Sequence, residues 1–221
     1  FTIIGQIGIS GFPTSGIILS FLLLLSFYFN GSFMMEWGLV SSVTLFVTWF
    51  FQEDNVKVAI DQISFTLFGV LYVAGLGGYT LLIRNFGDGE RLIFFLLLIV
   101  WLGDIAAYYW GWNFGKKPLA PVVSPNKTIE GSIAGLAGSL AAGAISGYWF
   151  LDHIAMLHCL LVALICGIIG QFGDLAESLL KRQADIKNSG NVLPGHGGIL
   201  DRIDSLLFAG PAFYCYFKLI L

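Results

Sequence analysis

Apolar runs of about 20 residues, separated by short polar stretches, recur along the chain, and each is long enough to cross a bilayer as a helix. They predict spans near 14–30, 33–51, 63–83, 91–112, 131–150, 154–174 and 203–221. Residues 1–12 read as the tail of an earlier helix, ended by Gly11 and Pro13. No ten-residue segment alternates apolar and polar positions, so backbone groups in lipid have to be satisfied within helices. The expected fold is therefore all-α, a polytopic transmembrane helical bundle of about seven or more spans. The connection at 151–153 is too short to be a domain, which makes 131–150 and 154–174 an antiparallel hairpin. Residues 1–90 read as N-terminal scaffold helices. Residues 91–221 read as a catalytic transmembrane domain with loops 113–130 and 175–201, all within one membrane-embedded unit.

Composition points the same way. Of the 221 residues, 57% are hydrophobic and 11% charged, with mean hydropathy +0.82. A soluble domain carries about 25% charged residues, so this inventory cannot cover a water-facing surface. The formal charge is -3 and no basic face is available, so nucleic acid is not an expected partner. Cys159 and Cys166 fall on one predicted helix, about 10 Å apart along its axis, too far for a disulfide. They read as buried thiols. Residue 1 is Phe rather than Met, so a preceding segment is expected.

The basic residues set an orientation. Alternating the loops puts Lys57, Lys116, Lys117, Lys127, Lys181, Arg182, Lys187 and Arg202 on one side, and Arg84, Arg91 and Lys218 on the other. The richer side is expected to be cytoplasmic. Within 131–150, Gly131, Gly135, Ser139, Gly143 and Gly147 recur every fourth residue and leave one helix face almost bare backbone. Such a face suits close packing within the chain or a homodimer contact, and packing within the chain is the expectation.

Four stretches carry chemistry. Asp104 lies inside an apolar helix, where an ionised group costs about 2.5–3.5 kcal/mol, so it must face protein, water or a cation. A buried structural aspartate would look the same. In residues 119–131, Pro121 and Pro125 stop helix continuation, and Thr128 is an N-cap for the helix that follows. That helix start, with Lys127 beside it and Lys116 and Lys117 across the loop, suits an anion. An ordinary capped loop with snorkelling lysines is the plainer reading. Asp174, Glu177, Ser178 and Lys181 share one face if their helix continues past the membrane. A solvated amphipathic helix would share that pattern, but Gly170 and Gly173 bring backbone close to whatever Asp174 binds.

The fourth stretch is Pro194 to Asp204. Its glycines permit tight turns, and Asp201 and Asp204 are placed to point to one side of the last helix. Oxygen ligands of this kind suit Mg²⁺ shared with substrate phosphates, and Arg202 can fork onto phosphate. His196 has no soft partner at ligand spacing, so zinc is not expected. It serves either as a phosphate donor or as a turn-stabilising hydrogen-bonder.

The run Leu193-Pro194-Gly195-His196-Gly197-Gly198-Ile199-Leu200-Asp201-Arg202-Ile203-Asp204 closely resembles the signature of phosphatidate cytidylyltransferases (CDP-diacylglycerol synthases). Ser178, Leu180, Lys181, Arg182, Lys187 and Gly190 extend the resemblance, as do the Asp104–Tyr108 stretch and Ser124-Pro125-Asn126-Lys127-Thr128-Ile129-Glu130-Gly131. Asn188 departs from it where Asp is usual, and Ile105 replaces a small hydroxyl residue. The resemblance implies condensation of CTP with phosphatidate to CDP-diacylglycerol and pyrophosphate in phospholipid biosynthesis. The site would lie on the cytoplasmic face of a multi-pass membrane protein, the inner membrane if the source is bacterial.

In that reading Asp174, Asp201 and Asp204 hold Mg²⁺, with a second cation admissible. Lys181, Arg202 and Asp104 join them as catalytic residues. Ser124, Lys127, Thr128, Ser178, Arg182, Lys187, His196, Gly197 and Gly198 bind substrate. The partners are CTP, phosphatidate and membrane lipid. A related enzyme acting on an isoprenoid ether-lipid phosphate would share these motifs. A transporter would instead place its charges near the bilayer midplane, whereas here they gather at one end of the spans.

Overall fold

The computed structural model describes residues 11–51, 56–186, 189 and 198–220. Apolar helices dominate them, as the run lengths require. Helix α1 spans Pro13–Tyr28 and starts with proline in its first turn, where the missing N–H costs nothing. It turns at Asn30 and Gly31, both at positive φ, into α2, Met34–Phe50. A third segment runs Val56–Arg84 as a succession of turns. It comprises a 3₁₀ turn, α3 (Ala59–Val70), a π-helical turn (Leu71–Gly75) and α4 (Tyr79–Arg84). Then come α5 (Gly89–Phe114), α6 (Ile129–Trp149), α7 (Met156–Gln183) and α8 (Leu200–Ile220). The segments match the seven expected apolar runs. Five of them are long and apolar enough to cross a membrane: Val56–Arg84, α5, α6, α7 and α8. The two N-terminal helices are shorter.

Two departures from expectation bear on function. Helix α7 does not stop near residue 174 but continues to Gln183, carrying a polar face beyond the apolar run. Residues 115–128, expected as an irregular loop, form a small antiparallel hairpin instead. Strand β1 (Pro118–Ala120) pairs with β2 (Ser124–Thr128) in a register that shifts between Pro118 and Ala120. Pro125 is tolerated because a two-stranded ribbon leaves each strand an unpaired edge. Helix-period reasoning does not see so short a pair.

The strict four-residue stripe on α6 is used inside the chain. A Cβ at Gly131 would lie 2.9 Å from the Ala107 carbonyl oxygen, and one at the neighbouring Gly138 would lie 2.5 Å from that of Leu102. At the other end of the helix, a Cβ at Gly143 would meet Cys159 and Ala163 at 2.8 Å. Helix α6 is thus wedged between α5 and α7 at backbone contact, which is how small residues hold helices together where lipid offers no hydrophobic drive.

Two apolar cores result. One gathers Ile83, Phe95, Ile99, Val162, Phe213 and Phe217 from the later helices. The other gathers Phe12, Leu19, Phe27, Leu45, Val70 and Leu82 from the earlier ones. Cys159 and Cys166 are buried free thiols. The ends of the bundle are also defined. Arg182 Nε donates to the Val123 carbonyl at 3.2 Å, tying the β-hairpin to the end of α7. At the opposite end, His153 Nε2 lies 2.9 Å from Asp88 Oδ2.

Candidate active site

The site forms where α7 meets the first turns of α8. Gly173 makes the meeting possible, because a Cβ there would lie 2.6 Å from the Asp204 carbonyl oxygen and 3.0 Å from Phe208 Cβ. With the two backbones this close, Asp174 and Glu177 on α7 face Asp204 on α8. One carboxylate oxygen from each of the three lies within 4.8 Å of the other two.

Three carboxylates that close repel one another and lose hydration, so the arrangement calls for positive charge. Part of it is protein. Lys127 Nζ lies 2.5 Å from Asp174 Oδ2, and Lys181 Nζ lies 2.8 Å from Glu177 Oε2. Part is unmet. Glu177 is fully buried, and its Oε1 has no hydrogen-bond partner among the described residues. An orphaned carboxylate oxygen beside two further carboxylates fits a bound cation. The donors are all oxygen, the ligand chemistry that Mg²⁺ takes.

A cavity of about 590 Å³ opens next to the cluster, within the usual size of small-molecule sites. Asp174 belongs to both. The other walls are Asp104, Tyr108 and Trp112 from α5, Asn126, Lys127 and Thr128 from β2, and Ser132 and Gln171 from α6 and α7. Gln171 and Ser132 hold each other, since the Ser132 hydroxyl donates to Gln171 Oε1 and Gln171 Nε2 donates to the Ser132 carbonyl. Asp104 lines the cavity from α5. It does so from within a helix long and apolar enough to cross a membrane.

Other expected site residues hold the site together. Asp201, expected beside the cation, has both oxygens engaged. Oδ1 accepts from Lys181 Nζ at 2.9 Å and Oδ2 from Gly198 N–H at 2.7 Å, while Ser189 N–H reaches both at 3.1–3.2 Å. It pins the incoming chain to the start of α8, and the third carboxylate of the cluster is Glu177. Thr128 caps α6 as expected, its Oγ1 accepting from Gly131 N–H at 3.2 Å. Glu130 accepts from the backbone N–H groups of Lys116 and Lys117.

Arg182 is exposed and its Nε donates to the Val123 carbonyl, Arg202 is exposed on the first turn of α8, and Ser124 and Ser178 are half-buried. Lys187, Asn188, His196 and Gly197 lie outside the described residues. The sequence placed Glu177 on the face of Asp174, but its spacing gave no reason to number it among the cation ligands. Ser132, Gln171 and Trp112 gave no signal, because a hydroxyl, an amide and an indole on apolar helices look like packing, and Tyr108 was marked only by the resemblance.

Comparison with known proteins was made against this geometry. The model of the cytidylyltransferase family matches residues 5–220. A protein of Bacillus subtilis (strain 168) named phosphatidate cytidylyltransferase is 41% identical over 162 residues, covering 73% of this chain and 60% of that one. Proteins of the same name from Staphylococcus epidermidis (strain ATCC 35984) and Staphylococcus aureus (strain COL) are 44% and 46% identical. The first alignment covers 79% of this chain and 66% of its relative, and the second 67% and 56%. The chain spans less than two thirds of the length of these curated relatives.

Proposed function

This chain belongs to the cytidylyltransferase family, and on that premise we propose that it joins CTP to phosphatidate, giving CDP-diacylglycerol and pyrophosphate. The observation that carries the reading is the shared wall. Asp174 is at once part of the three-carboxylate cluster and of a nucleotide-sized cavity, with Lys127 against it. In the reaction a phosphatidate oxygen forms a bond to the α-phosphorus of CTP. The α–β phosphoanhydride bond breaks, and its electron pair leaves with pyrophosphate.

Asp174, Glu177 and Asp204 would hold Mg²⁺, which neutralises charge on the triphosphate and the leaving group when bound. Lys127 brings an ammonium to the cavity wall beside the position of the phosphates. Lys181 keeps Glu177 and Asp201 in place through its two ion pairs. Arg202 on the first turn of α8 adds positive charge near the site. Thr128 lines the cavity, with Ser124 on the same strand. Ser178 follows Glu177 on α7. Lys187, His196, Gly197 and Gly198 keep the phosphate-binding role that the resemblance implies.

The test is direct. Labelled CTP and phosphatidate in detergent should yield CDP-lipid and pyrophosphate in equal amounts, with EDTA abolishing both and Mg²⁺ restoring them. No product with phosphatidate, but product with an ether-lipid phosphate, would move the reading to that substrate. No product with either would reject it.

The reading also places the site on the cytoplasmic face of an integral membrane protein, because basic residues crowd that end. Val122 is 90% exposed on the β-hairpin, and Asp152 carries an 85% exposed side chain at the opposite end. Cysteines at these positions, in a background lacking Cys159, Cys166 and Cys215, are expected to label from opposite sides with an impermeant thiol reagent, Val122→Cys from the cytoplasm. Labelling of Val122→Cys from outside in intact cells would reverse the orientation.

A further inference from the structure

Tyr72 sits on the π-helical turn Leu71–Gly75, in the half of the chain that the sequence marks only as scaffold. The residue is 8% exposed, and its hydroxyl oxygen is buried with no hydrogen-bond partner among the described residues. Buried hydroxyls are nearly always paired, so an orphan calls for an explanation. π-helical turns are rare and frequent at functional sites.

The surroundings supply one. The Tyr72 ring packs edge-on against Phe208, 6.1 Å between centroids, and Phe208 lies one turn beyond Asp204 on α8. Phe208 also closes on Gly173, the residue before Asp174, where an added Cβ would lie 3.0 Å from Phe208 Cβ, so one ring joins Tyr72 to the acidic cluster. Glu177 Oε1 is a second buried atom without a partner in the same acidic region. A hydroxyl that can donate and a carboxylate oxygen that can accept are the kind of groups that a bridging water joins. Mg²⁺ normally keeps several of its waters, and a buried water makes about three hydrogen bonds.

We propose that Tyr72 is a positioning residue of the acidic site, its hydroxyl hydrogen-bonding a water in the shell of the divalent cation held by Asp174, Glu177 and Asp204. The inference rests on the reading of those three carboxylates as a cation site. It makes the N-terminal helices contributors to the site rather than a platform for it.

Mn²⁺ binding to the purified full chain in detergent tests this, followed by loss of the free-ion electron paramagnetic resonance signal. Wild type, Tyr72→Phe and Asp204→Asn are compared, and the unfolding temperature of each is taken without cation. Tyr72→Phe keeps the ring contact with Phe208 and removes only the hydroxyl. Its Mn²⁺ dissociation constant should rise roughly three- to tenfold, the worth of one hydrogen bond. Its cation-free unfolding temperature should be equal or higher, since an unpaired buried hydroxyl is gone. Asp204→Asn should lose saturable binding.

Unchanged Mn²⁺ affinity in Tyr72→Phe, with Asp204→Asn defective, would overturn the role of Tyr72 and leave the cation site standing. Weaker binding together with a lower cation-free unfolding temperature would mark Tyr72 as structural and also overturn it. A wild-type chain with no saturable Mn²⁺ binding would overturn both readings.

Discussion

Replacing Asp174 with Asn is expected to lower CTP-dependent turnover by about a hundredfold or more while leaving the protein folded. Asp174 stands at the junction of the carboxylate cluster and the cavity and pairs with Lys127 at 2.5 Å. The amide keeps the shape and removes the charge, so a cation loses a ligand and Lys127 loses its counter-charge at once. Single electrostatic contacts of this kind are worth about 2.7–4 kcal/mol of transition-state stabilisation. The side chain is 35% exposed, so the helix pair does not depend on it. Pyrophosphate release by purified Asp174→Asn with an unchanged unfolding temperature is the measurement. Retention of more than about a tenth of wild-type turnover, roughly 1.4 kcal/mol, would take Asp174 out of the site.

The second large effect falls on stability. Lys181 is the bridge between Glu177, which is fully buried, and Asp201, which holds the chain entering α8. Lys181→Met removes the charge but keeps most of the stem. It leaves Glu177 as an uncompensated buried carboxylate and frees Asp201 from its partner. Removing one member of a buried ion pair costs about 3–5 kcal/mol, on the order of 10 °C in unfolding temperature for a chain of this size. Most of that cost is the stranded charge, so the double variant Glu177→Gln with Lys181→Met should recover at least half of it. Thermal unfolding in detergent, without added cation, reads the difference. Equal unfolding temperatures for wild type and Lys181→Met would show that this network does not support the fold.

These two variants separate what the sequence exposes from what it hides. Asp174 is legible because a carboxylate beside glycines at the end of an apolar run is costly unless it binds something, and Asp204 because it stands three residues from Asp201 at the start of the last helix. The place of Glu177 in the cluster with Asp174 and Asp204 was not legible. Glu177 and Asp201 both lie within one turn of an expected ligand, on 174/177 and 201/204 spacings that look alike. Only the crossing of α7 over α8 at Gly173 decides that Glu177 turns inward, and that Asp201 turns toward Lys181 and the Gly198 and Ser189 amides. Tyr72 was invisible for a related reason. An aromatic residue on an apolar helix is ordinary core, and its orphaned hydroxyl exists only in the folded arrangement.

By itself the sequence determined the number and order of the apolar helices among the described residues. In a bilayer every backbone group must be satisfied within its own segment, so run length dictates the element. It also determined the cap at Thr128 and the use of the α6 stripe for close packing, both consequences of local side-chain size and chemistry. Tertiary structure alone decided the β-hairpin, the docking of Arg182 on Val123, the cavity between α5, β2 and α7, and which three carboxylates converge. Those depend on how helices cross and which faces meet. That is set by backbone contacts between residues far apart in sequence, which no local spacing encodes.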